Sequence, residues 1–441
     1  MSAEQRHAVR PHCISTQRSC RFFQTTRPHS FMHACDIQLS SPHQWATRSR
    51  ARQDAGMTES SALAGESHDG RHASWLELFF DLVFVAAAAQ LSHQLHGDPG
   101  PGAFVAFLCL FFPAWWAWIN ITVYSNLFDN DGVRARVLML AGMLALAAIS
   151  VAIPEGLAGR APVYALGFAG TRVVLFLLWW PATRSAGTPV ARWRPLTYCL
   201  LSGLLWAVSA IVPSPWRFAL WALALLVEIG LVLLAGDTLL FARFDITHLV
   251  ERVGLFVIIV LGESVISLVT AVDHAWSPAA AMVALLGFVL LAALWWSYFD
   301  FGSSSVERAL SASHGRSSFA LIRDVVAFLH FFAVASIIVL AAGLGTAVDD
   351  ASHGHLPLGA VWALAGGQAA YHATHAVIAL RYRRPAREVA VWAAPGVAVP
   401  LAVIALHGVL PPVAAVAVLA AEAIAHLVYA RRAAARRVVA G

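Results

Sequence analysis

The sequence predicts an all-α protein, a polytopic transmembrane helix bundle of about twelve spans. Hydrophobic residues occupy 59% of the 441 positions and charged residues only 12%. Soluble domains contain about 45–50% apolar residues and about 25% charged residues. Apolar runs of about 20 residues alternate with short loops from Trp75 onward. Lipid, not polar side chains, is therefore expected to cover most of the surface.

The first 72 residues differ from the rest of the chain. They are polar, rich in Ser, His and Arg, and lack apolar periodicity, which predicts a disordered extension. Met57 opens a short polar stretch before the first apolar run and is an alternative start of translation. We expect a transmembrane domain over 73–432 and a basic cytoplasmic tail over 433–441.

The apolar runs predict twelve spans, and prolines separate the closest of them. Pro213 and Pro215 divide the fifth span from the sixth, and Pro411 and Pro412 divide the last two, because proline inside a helix removes a backbone hydrogen bond. The predicted spans are 75–96, 103–125, 134–154, 162–182, 196–213, 217–240, 249–272, 278–299, 322–346, 358–380, 388–409 and 412–430.

The arginines orient this topology. Short loops rich in Arg stay in the cytoplasm. Outside the extension and the mid-helix Arg172, the arginines fall on the side of the N terminus, except Arg160 and Arg217. Both termini are therefore expected to be cytoplasmic.

Charge and cysteine content exclude several classes. The net charge of +5 is spread over loops and the extension, so we expect no nucleic acid partner. For a transmembrane bundle, the expected partners are the lipid bilayer and a small solute or ion. The five cysteines include no CxxC motif, and no nucleotide-binding or hydrolase motif occurs. We therefore expect no cofactor, no metal site and no disulfide framework.

A weak internal repeat relates the first six spans to the last six. Trp115 and Trp116 with Asn120 in the second span match Trp295 and Trp296 with Asp300 in the eighth. Glu77 and Glu228 in the first half also match Glu251 and Glu422 in the second. An offset of six spans gives both halves the same orientation, the parallel repeat of some transporters; chance similarity of Ala- and Leu-rich helices is the alternative.

Acidic residues inside the spans are the main functional candidates, because a charge in the bilayer is costly. Glu77 and Asp81 are four residues apart on one face of the first span. Two carboxylates this close resist being ionised together, so they are candidates for holding a proton. The alternative is a structural ion pair with an Arg of another helix.

The seventh span carries the second set of candidates. His248, Glu251 and Arg252 form a turn at its cytoplasmic end, where Glu251 and Arg252 are also a possible interfacial pair. Glu263 lies about 18 Å further along the helix, beyond a stretch of apolar residues and glycine. Gly262 beside it is expected to permit close approach of another backbone.

Other intramembrane polar residues are secondary candidates. The acids are Glu228, Asp300 and Glu422, and the histidines are His330, His372 and His375. His372 and His375 share a helix face, a spacing compatible with metal binding, a proton relay or hydrogen-bonded packing. The cavity-lining candidates are Trp115, Trp116, Asn120, Trp295 and Trp296, with membrane-belt or packing roles as the alternative.

Two segments carry a family resemblance. WLELFFDLVFV, residues 75–85, and HLVERVGLFVIIVLGE, residues 248–263, resemble the two signatures of the low-temperature-requirement A (LtrA) family of bacterial membrane proteins. The resemblance covers roughly residues 73–432 and implies a many-helix inner-membrane protein connected with growth in the cold. It assigns no roles to individual residues.

These observations favour a proton-linked secondary transporter or ion-conducting protein. One alternative is a membrane stress-adaptation scaffold or sensor that transports nothing; its polar groups would pair off within the bundle and leave no cavity. Another is an intramembrane enzyme acting on lipid, whose acids and histidines would converge near one leaflet.

Overall fold

The computed structural model describes residues 74–128, 132–184, 190–234, 244–303 and 316–440. Within these residues the chain is helical, without strands, and forms twelve helices. The predicted fold class is therefore confirmed. The predicted extension and the alternative start at Met57 lie outside the described residues.

Each predicted span corresponds to one helix. The first six are α1 (Trp75–His93), α2 (Pro101–Leu127), α3 (Val133–Ala152), α4 (Ala161–Trp179), α5 (193–209) and α6 (Trp216–Leu234). The last six are α7 (Ile246–His274), α8 (Pro278–Ser297), α9 (316–349), α10 (358–381), α11 (Ala386–Ala405) and α12 (Pro412–Ala440). Short 3-10 turns extend α3 and α4 over Ile153–Glu155 and Trp180–Arg184.

Ten helices have the length and hydropathy of a membrane span, and α5 and α10 do not. Helix α5 is short and ends at Ser209, and α10 carries Gln368 and two histidines. The structure thus shows a multi-pass arrangement, while twelve crossings remain a prediction. The predicted basic tail continues α12 as helix through 433–440.

Local sequence signals explain several helix ends. Ser74 and Glu77 form a reciprocal capping box at the start of α1, which satisfies two backbone donors. The Asp245 side chain accepts from the His248 N–H at the start of α7. The predicted proline breaks are present, since α5 ends before Pro213 and α12 begins at Pro412.

Four π-helical turns occur in the described residues. Three lie within α5, α9 and α10, at Leu196–Leu201, Arg323–Leu329 and Trp362–Gly366, and one directly follows α8, at Tyr298–Ser303. Such turns are rare and often occur at functional sites. In α9 the turn presents carbonyls to side chains, because Trp115 Nε1 donates to Ala327 O and His330 Nδ1 donates to Val325 O, each at 2.8 Å.

The six-helix halves meet through α1 and α2, which pack against α7 and α9. Aromatic side chains fill this contact: Phe256 of α7 lies 4.8 Å from Phe84 and 4.2 Å from Trp118, measured between ring centres. Neighbour relations within the halves agree only in part. Helix α2 packs on α4, whereas its counterpart α8 packs on α12, so the predicted repeat is not established and stays a prediction.

Candidate functional site

Helices α1 and α7 bring four predicted residues together at the half interface. His248 Nε2 lies 3.4 Å from Glu77 Oε2, and Arg252 Nη2 lies 2.8 Å from Asp81 Oδ1. All four side chains are fully buried. Both pairs join residues 171 positions apart, so the two helices run parallel. We call Glu77, Asp81, His248 and Arg252 the α1–α7 charge cluster.

Helix α2 completes the surroundings of the cluster. Trp118 Nε1 donates to Asp81 Oδ1 at 2.8 Å. The backbone N–H of Asp245 donates to Asn126 Oδ1 at 3.1 Å, which identifies the amide oxygen and leaves Nδ2 facing His248 Nδ1 at 3.2 Å. Since Nδ2 donates, Nδ1 accepts, and the imidazole is neutral with its proton on Nε2, directed at Glu77.

The cluster is only partly satisfied by hydrogen bonds. Among the described residues, Glu77 Oε1 and Asp81 Oδ2 are buried without a hydrogen-bond partner, as are Arg252 Nε and Nη1. A buried polar network in this condition costs free energy. With two carboxylates, one guanidinium and a neutral imidazole, the cluster carries a net charge of −1 unless one carboxylate is protonated.

The other two primary candidates of α7 differ in their distance from the cluster. Glu251 is partly buried; it lies about 100° around the helix from Arg252 and three residues after His248, its neighbour on the helix surface. Glu263 is also partly buried, about 16 Å beyond Arg252 along the helix. Ser267 Oγ donates to Glu263 Oε1 at 3.4 Å. The five primary candidates therefore do not form one site.

Glu263 borders a water-sized space between α1, α7 and α9. This cavity of about 10 Å³ is also lined by Ser92, Ser264 and Ser267. The expected close packing at Gly262 is wrong: Gly262 is exposed, and a methyl group built there meets no described atom within 4 Å.

The secondary acids have separate partners. Glu228 of α6 lies 3.1 Å from Arg172 Nη1 of α4 and accepts a hydrogen bond from Ser202. This fully buried pair is neutral by itself. Asp300 is exposed and accepts from Trp296 Nε1 at 2.6 Å, so it lies at the surface of the bundle.

The three candidate histidines have different surroundings. His330 and His375 each donate through Nδ1 to a backbone carbonyl, of Val325 and Tyr371, at 2.8 Å. These contacts fit the hydrogen-bonded packing alternative. His372 instead faces Glu422 of α12, with 3.1 Å between Nε2 and Oε2.

A larger cavity of about 350 Å³ lies between the two halves, at the end predicted to be cytoplasmic. Trp116 and Asn120 of α2 line it, as predicted for them, opposite Tyr198 of α5. Tyr198 donates to Asn120 Oδ1 at 2.6 Å. Further lining residues include Arg194, Cys199, Leu231, Leu249, Arg323 and Val326.

The remaining predicted cavity residues do not line this space. Trp115 is fully buried in the aromatic contact between the halves, 5.5 Å from Phe256 between ring centres. Trp295 and Trp296 are 45% and 39% exposed, as expected of residues that face lipid. The alternative packing and membrane-belt roles therefore fit these three residues better.

Sequence reasoning missed several partners. Trp118 and Asn126 contact the cluster, and Arg172 pairs with Glu228, but nothing in the local pattern of α2 or α4 points to these contacts. His426 lies beside His372 and Glu422. Its position four residues after Glu422 on the same helix was a usable signal.

Comparison with known proteins assigns the family. Residues 72–428 match the family described as bacterial low temperature requirement A protein (LtrA). The chain belongs to the LtrA family. Both resembling segments, and with them all members of the α1–α7 charge cluster, fall inside the matched range, so the family resemblance is confirmed.

The chain is also similar to a protein of Rhizobium meliloti (strain 1021). The LtrA chain is 30% identical over 253 residues to the uncharacterized protein RA0937 of Rhizobium meliloti (strain 1021). The alignment covers 54% of this chain and 61% of that protein. The relative's name states no activity, so the comparison adds no substrate.

Proposed function

We propose that this LtrA protein is a proton-linked secondary transporter or ion-conducting protein for a small solute or ion. It would lie in the bacterial plasma membrane with both termini in the cytoplasm, and its role would be connected with low-temperature growth. The observation that carries the proposal is the cavity of about 350 Å³ between the two helical halves.

Helix α7 contributes both to the cavity and to the α1–α7 charge cluster. Leu249 lines the cavity and directly follows His248 of the cluster. A cavity between two halves that share an orientation is where a parallel-repeat transporter places its substrate. Two of the four π-helical turns also supply its walls, with Tyr198 and Cys199 from α5 and Val326 from α9.

The proton linkage is argued from charge balance. In a low-dielectric interior, a cluster with net charge −1 is costly, and one bound proton neutralises it. The imidazole already holds its single proton toward Glu77, so the additional proton would reside on a carboxylate. Asp81 Oδ2 and Glu77 Oε1, which have no described hydrogen-bond partner, are the atoms that would receive it.

The proposal is tested by reconstituting the chain in liposomes with a trapped pH-sensitive dye. We expect an imposed pH gradient to relax faster than in empty liposomes. Asp81→Asn and Glu263→Gln should slow this relaxation, whereas Glu155→Gln, an exposed acid after α3, should not. Equal rates with and without protein, and no effect of either intramembrane variant, would contradict the proton linkage.

A non-transporting scaffold or sensor is the second candidate, and the pairing of the buried acids favours it. Glu228 pairs with Arg172 and Glu422 with His372, as a structural role requires. The cavity is what this candidate does not explain. The acids and histidines lie in separate groups on different helices, so an enzyme acting on lipid is not proposed.

A further inference from the structure

A second buried cluster of ionisable groups lies entirely within the last six helices. It consists of His372 on α10 with Glu422 and His426 on α12. One ligand atom of each residue lies within 4.8 Å of the others. His372 and Glu422 are almost fully buried, and His426 is partly buried. We call this group the α10–α12 triad.

The helices hold the triad in a defined arrangement. Glu422 and His426 are four residues apart, so they share one face of α12. The rings of His372 and His426 lie 4.6 Å apart between centres. A glycine on α11 makes room for them, because a methyl group at Gly396 would lie 2.7 Å from the His372 ring. Trp392, also on α11, contacts His426 edge to face.

Gln368 supports the carboxylate from one helical turn before His372. Its Nε2 donates to Glu422 Oε2 at 2.6 Å and to Leu419 O at 3.1 Å. Since both of these partners are acceptors, the amide nitrogen is correctly identified. The Gln368 side chain is fully buried, and its Oε1 has no hydrogen-bond partner among the described residues. Gln368 therefore adds a buried acceptor, one helical turn from His372, to the groups around Glu422.

We propose that the α10–α12 triad binds one divalent first-row transition metal ion, with Zn²⁺ as the reference case. Imidazole nitrogen and carboxylate oxygen are ligands that such ions accept, and a set of three leaves further coordination positions open. Metal–ligand distances of about 2.0–2.2 Å require the three side chains to close by a small rotation. The hydrogen bond from Gln368 to Glu422 is the outer contact that orients a ligating carboxylate.

The proposal replaces the sequence-based expectation that the chain has no metal site. The pair His372 and His375 has compatible spacing on one helix face, but the group whose ligand atoms lie within 4.8 Å of one another contains His372 without His375. The structure instead supplies the second imidazole from α12, through His426. This inference is independent of proton-linked transport and holds for a transporter and a scaffold alike.

The test measures metal binding by the purified full-length chain, stripped of metal in detergent. We expect the wild type to bind one more equivalent of Zn²⁺ than His426→Ala or Glu422→Gln. Gln368→Leu should weaken this equivalent by about 10–100-fold, the usual effect of losing an outer contact. His375→Ala is the matched control, because it removes a neighbouring histidine of α10 and should leave the equivalent unchanged.

Co²⁺ identifies the ligands of that equivalent. Cys13, Cys20 and Cys35 and several histidines in the N-terminal segment could also bind metal, and thiolates give an intense near-ultraviolet charge-transfer band. The triad should give only visible bands of nitrogen and oxygen ligation, lost in Glu422→Gln. If His426→Ala does not purify as a folded protein, Glu422→Gln decides. Equal Zn²⁺ stoichiometry in wild type and Glu422→Gln, or an equal loss in His375→Ala, would overturn the proposal.

Discussion

Arg252 is the residue on which the α1–α7 charge cluster most depends, because it is the permanent cation beside two buried carboxylates. Its Nη2 contacts Asp81 at 2.8 Å, and both side chains are fully buried. Breaking a buried pair leaves an uncompensated charge, whereas removing both partners does not. The two cases can be separated experimentally.

We predict that Arg252→Met lowers the free energy of unfolding by about 3–5 kcal/mol, the usual cost of breaking a buried ion pair. The double variant Asp81→Asn with Arg252→Met should lose less than the sum of the single losses, because neither partner remains charged alone. Denaturant-induced unfolding in detergent would measure both effects in a double-mutant cycle.

An exposed ion pair provides the control for this cycle. Arg160 lies 4.0 Å from Glu155, and both side chains are largely exposed. Arg160→Met should change the free energy of unfolding by less than about 1 kcal/mol. If Arg252→Met costs no more than Arg160→Met, or if the double-mutant losses are additive, Arg252 and Asp81 are not energetically coupled.

At the residue level, the sequence indicates candidates where chemistry restricts the choices. A carboxylate inside a span needs a partner or a function, which singled out Glu77 and Asp81, and the structure pairs them with His248 and Arg252. The sequence could not reveal which helices meet, so Arg172, Trp118 and Asn126 were missed. Glu263 was a candidate because it is an acid within an apolar stretch of α7. The structure places it outside the α1–α7 charge cluster.

At the scale of elements, helices α9 and α10 approach each other closely at two glycines. A methyl group at Gly343 of α9 would lie 2.6 Å from Leu364 Cα, and one at Gly367 of α10 would lie 2.8 Å from Leu340 N. Small residues allow membrane helices to pack backbone against backbone. The two contacts are reciprocal, since each glycine accommodates the opposite helix.

We predict that Gly343→Ala and Gly367→Ala each lower the free energy of unfolding by about 1–3 kcal/mol, the range for overpacking a tight contact. The backbone atoms of the opposite helix cannot rotate away as a side chain could. Gly262→Ala is the matched control, because nothing lies within 4 Å of the added methyl group. A Gly262→Ala loss as large as that of Gly343→Ala would show that the effect is not due to the α9–α10 contact.

The π-helical turns are elements that the sequence did not predict. Apolar periodicity places a helix at 196–213 and at 322–346, but it does not distinguish an α-helical turn from a π-helical one. The turn in α9 has a long-range partner, because the Trp115 side chain donates a hydrogen bond to the Ala327 carbonyl. The apolar pattern of α9 does not indicate this contact. Turns in α5 and α9 line the cavity, so tertiary contacts determined the part of the fold closest to the proposed function.

For the whole molecule, the sequence predicted the fold class and the twelve helices of the described residues because lipid imposes a simple rule. Each crossing segment must satisfy its own backbone hydrogen bonds and remain apolar over about 20 residues. The same rule does not establish that α5 and α10 cross the membrane, because neither has both the length and the hydropathy of a typical span. Their crossing determines whether both termini lie on one side and whether the halves are parallel.

We predict that α5 and α10 both cross the membrane. Helix α5 would lie among α4 and α6, and α10 among α9 and α11, as their contacts indicate, so neighbouring protein rather than lipid shields their polar groups. Single cysteines introduced into a variant that lacks the five native cysteines would show on which side of the membrane each position lies. Ala191→Cys and Ser214→Cys, exposed on either side of α5, should react with a membrane-impermeant maleimide from opposite sides.

The matching pair for α10 is Ser352→Cys and Ala386→Cys, which are also exposed. Ala191 and Ala386 should label only in inside-out vesicles, because both lie on the arginine-rich side that the topology places in the cytoplasm. Ser214 and Ser352 should label in intact spheroplasts. Labelling of Ala191 and Ser214 from the same side would make α5 a re-entrant helix and reverse the orientation of every later helix relative to the first four. The parallel course of α1 and α7, which the two contacts of the α1–α7 charge cluster require, rests on an odd number of crossings between them, the five helices α2 to α6. This single outcome would therefore also contradict the arrangement from which proton linkage is argued.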